Sequence, residues 1–141
     1  MASFHLYLNF AGTTEDAFQF YQSIFGGEFR DLQRFGDVPG MPIPEQFKDK
    51  LMHISLPLGD NLLLMGTDAL AELGHPVTLG NNTHISVSPD SEAEAQRIFN
   101  ALSDGGEVKM ALAPQFWGAL YGAVVDRFGV QWMINYVLPQ A

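Results

Sequence analysis

The strongest constraint on the fold of this chain is an internal repeat. His5 begins a short apolar run, which is followed by a helical pattern and then by Gly26-Gly27-Glu28. His84 begins a similar run, which is followed by a second helical pattern and then by Gly105-Gly106-Glu107. The spacing between the two histidines equals the spacing between the two triplets, and we call it the first offset. It predicts two copies of one structural unit, with the histidines at equivalent positions.

Each copy has the apolar pattern of four strands and one helix. In the first copy we predict strands at 4–10, 28–35, 51–58 and 62–65. In the second copy we predict them at 83–87, 107–112, 120–125 and 130–137. The predicted buried helix faces are Ala17, Phe20, Tyr21 and Ile24, and Ala95, Ile98, Phe99 and Leu102. The fold class is therefore α+β, with one βαβββ module in residues 1–66 and another in 83–141. The two are joined by a linker at 67–82 within a single domain, 1–141.

The later strands repeat at a shorter spacing than the first strand. This second offset places 51–58 on 119–126 and Met65 on Met133. The longer irregular segment 36–50 of the first copy accounts for the difference. Its glycines and prolines are typical of a mobile lid over a pocket, or equally of an arm that contacts a second copy of the chain.

Composition limits the classes of partner. The chain has 7 Lys and Arg against 16 Asp and Glu, a net charge of −9, which disfavours nucleic acid. With 47% hydrophobic residues the chain can bury a core, and it has no cysteine for disulfide or thiolate chemistry. No apolar run has the length of a membrane span, and the first residues lack signal-peptide features, so we expect a cytoplasmic protein that does not bind membranes.

Several segments resemble the vicinal oxygen chelate superfamily, which includes glyoxalase I, extradiol dioxygenases and bleomycin-resistance proteins. The chain is most similar to its PhnB-like branch. The matching segments are Tyr7–Phe10, Ala17–Tyr21, Phe25–Gly27, Leu64–Asp68, Phe116–Gly118 and Asp126–Trp132. The resemblance implies paired βαβββ modules whose curved mixed sheets surround a concave cavity for a small-molecule ligand. We also expect a homodimer, because edge strands and one sheet face need cover.

The resemblance also implies where a metal would bind. Metal-dependent members take one ligand (His, Glu or Gln) from the first and one from the fourth strand of each module. The matching positions here are His5, Met65, His84 and Met133. Thioethers bind hard and borderline divalent ions poorly, so we expect no conventional metal site and no cofactor. If a divalent metal is bound, His5 and His84 are its candidate ligands.

Trp117 and Tyr121 are further candidate ligand contacts. Together with Phe116 they form an aromatic cluster at a strand start that could stack on an apolar or cationic ligand, although core packing or a dimer contact explains it as well. His53, which the second offset places on Tyr121, is a weaker candidate. Strand alternation places Trp132 opposite Met133, in the core under the helix.

Three functions remain open at this point. The first is a non-enzymatic binding protein of the bleomycin-resistance type, which the acidic charge and the two methionines favour. The second is a metal-dependent isomerase, lyase or dioxygenase that uses His5 and His84. The third is a structural role in which side chains fill the cavity. The sequence identifies neither the ligand nor a reaction.

Overall fold

The computed structural model describes residues 2–140, and these divide into two compact units at Thr78 and Leu79. The first unit contains β1 (Leu6–Phe10), α1 (Thr14–Phe25), β2 (Arg30–Arg34), β3 (Leu51–Leu58) and β4 (Leu62–Asp68). The second contains β5 (Ile85–Val87), α2 (Glu92–Ser103), β6 (Glu107–Pro114), β7 (Ala119–Val125) and β8 (Gln131–Val137). The predicted α+β class and the two βαβββ modules are confirmed.

Each unit has one open, four-stranded mixed sheet. The strand orders are β1-β4-β3-β2 and β5-β8-β7-β6. In both sheets the first strand is parallel to its neighbour and the other pairs are antiparallel. The strand β4 continues to Asp68, past the end predicted at residue 65. The linker at 67–82 stays a prediction. Within residues 2–140, neither 12-residue helix is long and apolar enough to cross a membrane.

The strand register reproduces the two offsets of the repeat. Tyr7 lies opposite Met65 in the first sheet, and Ser86 lies opposite Met133 in the second. The step from Tyr7 to Ser86 is the first offset, and the step from Met65 to Met133 is the second. Ser55 opposite Met65 and Ala123 opposite Met133 are also related by the second offset. The two units are therefore equivalent residue by residue along these strands.

The buried face of α1 differs from the prediction at one position. Phe18 is fully buried, together with Thr14, Ala17 and Tyr21, whereas Phe20 is only half-buried. The prediction of Phe20 was wrong because the helix turns by about 100° per residue, which puts Phe18 on the same side as Thr14 and Tyr21. The buried face predicted for α2 is confirmed at all four positions: Ala95, Ile98, Phe99 and Leu102.

A glycine in each sheet lets its helix approach closely. A Cβ atom on Gly66 would lie 2.6 Å from the ring of Phe18, and one on Gly122 would lie 2.6 Å from the ring of Phe99. Both distances are shorter than any van der Waals contact, so no larger residue fits while the rings stay in place. The helices therefore cover one face of each sheet tightly.

Asp68 joins the start of α1 to the start of β3. Its carboxylate accepts hydrogen bonds from the Thr14 backbone N–H at 3.0 Å, the Thr14 hydroxyl at 2.7 Å and the Leu51 N–H at 2.8 Å. The side chain of Thr13, the residue directly before α1, makes no capping bond. Ser91, by contrast, caps α2, because its hydroxyl accepts a hydrogen bond from the Glu94 N–H at 3.1 Å.

The irregular segment 36–50 is fixed at its base. The Phe35 N–H donates to the Lys50 carbonyl at 3.0 Å, and the Gly36 N–H donates to that of Lys48 at 2.9 Å. Arg34 adds a bond to the Asp49 carbonyl at 2.7 Å and a two-bond ion pair with Glu15 on α1. These bonds hold the two ends of the segment together.

Asp68→Ala is expected to lower the free energy of unfolding by about 3 kcal/mol, because it leaves buried donors of Thr14 and Leu51 without an acceptor. Urea unfolding followed by circular dichroism measures the change. The control Asp60→Ala removes an exposed turn carboxylate and should cost no more than about 0.5 kcal/mol. Equal effects of the two substitutions would contradict the capping role of Asp68.

The ion pair of Glu15 with Arg34 predicts a pH-dependent contribution to stability. The hydrogen bond from the Arg34 guanidinium lowers the pKa of Glu15, so the stabilisation is present above the unfolded carboxyl pKa and is lost as pH falls through the folded one. Because both side chains are about one-third exposed, water screens the pair, and Glu15→Gln should cost at most about 1 kcal/mol at pH 7.

Urea unfolding at neutral pH and at about pH 3, below the usual range for a carboxyl group, tests this contribution. The difference between Glu15→Gln and the wild type should be clearly smaller at the lower pH, because the stabilisation is lost as pH falls toward and through the lowered pKa of Glu15. Glu28→Gln, which changes an exposed carboxylate, should differ little from the wild type at either pH. A Glu15→Gln effect that is undiminished at low pH would contradict the ion-pair explanation.

Candidate functional site

One row of residues crosses all four strands of the first sheet on the face opposite α1. Tyr7 on β1 pairs with Met65 on β4, Met65 with Ser55 on β3, and Ser55 with Arg30 on β2. Leu64 and Gly66, the neighbours of Met65, point to the other face, where they are buried. We call the surface formed by Tyr7, Arg30, His53, Ser55 and Met65 the first open face.

A chain of hydrogen bonds runs across the first open face. The Tyr7 hydroxyl lies 3.2 Å from Nδ1 of His53, and Nε2 of His53 lies 2.9 Å from the Ser55 hydroxyl. The Tyr7 and His53 rings are also in contact, with centroids 5.7 Å apart. Both imidazole nitrogens are thus engaged, which fixes the orientation of the ring.

This series of hydrogen bonds extends from the interior to the surface. Ser55 is 1% exposed, whereas Tyr7 is 46% exposed. A neutral imidazole donates through one nitrogen and accepts through the other. If the Tyr7 hydroxyl changes from donor to acceptor, the Ser55 hydroxyl therefore has to change its role as well. The Tyr7 phenol is therefore the solvent-accessible end of this series of hydrogen bonds, while His53 and Ser55 hold it in place.

His5 lies immediately before β1 and is exposed. Its Nε2 lies 3.3 Å from the Ser3 hydroxyl. His5 lines a surface cavity of about 400 Å³ at the β3–β4 turn, together with Arg30 and the turn residues 59–62. The strand partner of Met65 is Tyr7 rather than His5, so the histidine lies before the strand position that pairs with the methionine.

The equivalent surface of the second unit is apolar and aromatic. Its row consists of Ser86, Met133, Ala123 and Met110, which we call the second open face together with Trp117 and Tyr121. The Trp117 and Tyr121 rings pack edge to face at 5.7 Å, and Phe116 contacts Trp117 at 5.0 Å. The predicted aromatic cluster is present, with Phe116 97% and Trp117 51% exposed. His84 is exposed directly before β5.

The donor atoms of the described residues do not suit a hard divalent ion. Met65 and Met133 occupy the fourth-strand positions with thioethers, and their strand partners Tyr7 and Ser86 offer only hydroxyls. Among residues 2–140, no group of three or more His, Asp or Glu side chains is close enough to hold a metal. Divalent ions of this kind require imidazole and carboxylate ligands, so the residues do not fit the metal that the family resemblance implies.

The structure brings together a set of residues that the sequence only partly indicated. The predicted Met65 and the weaker candidate His53 share the first open face, and the structure adds Tyr7, Ser55 and Arg30 to it. The second offset contained a usable signal, because it places His53 on Tyr121. Trp132 is fully buried as predicted, and its indole N–H donates to Asp126 at 2.8 Å.

Comparisons with known proteins give the same fold and point to one family. The model of the Glyoxalase/Bleomycin resistance protein/Dioxygenase superfamily matches residues 4–134. Protein YjdN of Escherichia coli K12 is 31% identical over 95% of this chain and 95% of its own length. The crystal structure of protein PA1353 from Pseudomonas aeruginosa is 40% identical, covers 99% of this chain and 100% of that one, and has a TM-score of 0.86. The PhnB protein from Bacillus cereus, 23% identical over 96% of this chain and 99% of its own, has the same fold at a TM-score of 0.80.

The different exposures of the two tryptophans predict a simple fluorescence result. Acrylamide should quench Trp117, which is 51% exposed, and leave Trp132, which is fully buried, nearly unaffected. In Trp117→Phe the accessible part of the emission should disappear, whereas the protein should remain folded because the ring lies at the surface. Equal quenching of the wild type and Trp117→Phe would contradict the exposed position of the aromatic cluster.

Proposed function

The chain belongs to the Glyoxalase/Bleomycin resistance protein/Dioxygenase superfamily, and we propose that it binds a small organic ligand without a conventional metal site. The observation that carries this proposal is the hydrogen-bonded chain Tyr7–His53–Ser55 on the sheet face that the helix leaves open. Polar groups held in a fixed orientation are typical of ligand sites, because they set the orientation and specificity of the ligand.

The polar groups of the first open face favour a ligand-binding role over a purely structural one. A hydroxyl that only stabilises the fold is normally buried, because an exposed one exchanges its partner with water at little cost. The Tyr7 hydroxyl is oriented by His53 although its side chain is nearly half exposed. Such an oriented, accessible hydroxyl lowers the entropic cost of binding a ligand.

The second open face contributes an aromatic surface of its own. Trp117 and Tyr121 are held edge to face beside the Met133 row, where a planar ligand can stack on them. We include His5, Met65, His84, Trp117, Tyr121 and Met133 in the proposed ligand contacts. The cavity between the modules, the homodimer and the cytoplasmic location stay predictions.

The alternative role as a metal-dependent isomerase, lyase or dioxygenase has less support. It requires His5 and His84 as ligands, and the methionines supply neither the charge nor the general base that such chemistry uses. Stoichiometric metal in protein purified without a histidine tag, lost in His84→Ala, would favour this alternative over the binding role.

Calorimetry with a panel of neutral, cationic and anionic aromatic compounds tests the proposal. For a compound that binds, Tyr7→Phe should weaken binding about fivefold to tenfold, because it removes the hydroxyl and keeps the ring. The matched control Tyr136→Phe makes the same chemical change on β8 and should alter affinity less than about twofold. No binding by any class of compound, or equal weakening in both variants, would refute the proposal.

A further inference from the structure

Arg30 differs from the other basic side chains of the molecule. The chain has 7 Lys and Arg against 16 Asp and Glu, so most of its cations can find an acidic or carbonyl partner. Six of them do so within residues 2–140: Arg34, Lys48, Lys50, Arg97, Lys109 and Arg127. In the same part of the chain, the Arg30 guanidinium makes no hydrogen bond or ion pair, although acidic residues outnumber basic ones in the sequence.

Arg30 lies on the first open face and lines a cavity there. Its strand partner is Ser55, so it forms one end of the residue row on the first open face. It lines the cavity of about 400 Å³ together with His5 and Asn61, two side chains that carry N–H donors. The one acid lining this cavity among the described residues is Asp60, in the exposed β3–β4 turn. Three side chains with donors thus converge on one cavity beside a single carboxylate.

The second unit has an equivalent cavity in which the basic side chain is paired with an acidic one. This cavity, of about 450 Å³, is lined by Val125 and Gln131, which the second offset relates to Pro57 and Leu63 of the first cavity. Its cation, Lys109, forms an ion pair with Glu107 at 3.1 Å, and both side chains line the cavity. Of these two cavities, as residues 2–140 form them, only the first retains an unpaired cation.

From this difference we infer that the first cavity binds the anionic oxyacid group, a carboxylate or a phosphoryl group, of the ligand. The planar guanidinium of Arg30 matches two oxygens of such a group, and His5 and Asn61 supply further donors. This inference rests on the proposed ligand-binding function and adds the chemical class of the ligand, which the net charge of −9 alone would suggest to be cationic.

Titration calorimetry in about 150 mM salt, where long-range charge effects are screened, tests the inference. The probes are inorganic phosphate, phenyl phosphate and benzoate, with benzyl alcohol and benzyltrimethylammonium as neutral and cationic counterparts. Arg30→Gln should weaken the binding of phenyl phosphate or benzoate at least tenfold. Lys109→Gln, which removes the same charge from the equivalent cavity, should change it less than twofold. Asp60→Asn should strengthen it.

The outcomes separate this inference from the proposed function. A difference between phenyl phosphate and benzoate identifies which oxyacid the cavity prefers, and dependence of either on Arg30 supports the inference. If benzyl alcohol or benzyltrimethylammonium binds as well as the anions do and Arg30→Gln has no effect, the inference is overturned while the binding function stands. Equal losses in Arg30→Gln and Lys109→Gln also overturn it, because they would reflect net charge alone. If no probe of any class binds, both proposals fail.

Discussion

The close contact between one aromatic ring and one glycine determines how each unit is built. In the first unit Phe18 packs on Gly66, whose strand partner is Ile54, and in the second Phe99 packs on Gly122, whose partner is Ile134. The isoleucine and the glycine have exchanged strands between the units. Each helix therefore packs on one small and one large residue, which keeps the packed volume similar although the sequences of the two units differ.

This packing forces polar chemistry to the opposite face. Where a helix ring lies directly on the backbone of a strand, there is no room for water or for a ligand. The carboxylates of two buried aspartates are already occupied: Asp68 accepts three hydrogen bonds at the start of α1 and β3, and Asp126 accepts from Trp132 and from its own turn. Side chains with accessible donors are left on the open faces, where Tyr7 and Arg30 lie.

The sequence predicted the scaffold better than the site, for a physical reason. The two offsets read from the sequence hold in the structure, where they relate the strand pair Tyr7–Met65 to the strand pair Ser86–Met133. The Tyr7–His53 hydrogen bond, by contrast, joins two strands that are not neighbours, since β4 lies between them. It depends on two side-chain conformations that no sequence period encodes. The error at Phe20 is smaller, because this residue is half-buried and lies next to Tyr21, which was correctly predicted to be buried.

The repeat argues against a symmetric function once the equivalent positions are compared. Tyr7, His53, Ser55 and Arg30 of the first unit correspond to Ser86, Tyr121, Ala123 and Met110 of the second. At the four positions that supply metal ligands in the family the two copies agree, His5 with His84 and Met65 with Met133, so the asymmetry lies in the residues around them. The positions that differ carry hydrogen bonds or charge in the first unit and mostly apolar or aromatic groups in the second. The open faces thus differ in chemistry although the backbone register is retained, so each face is suited to a different chemical group.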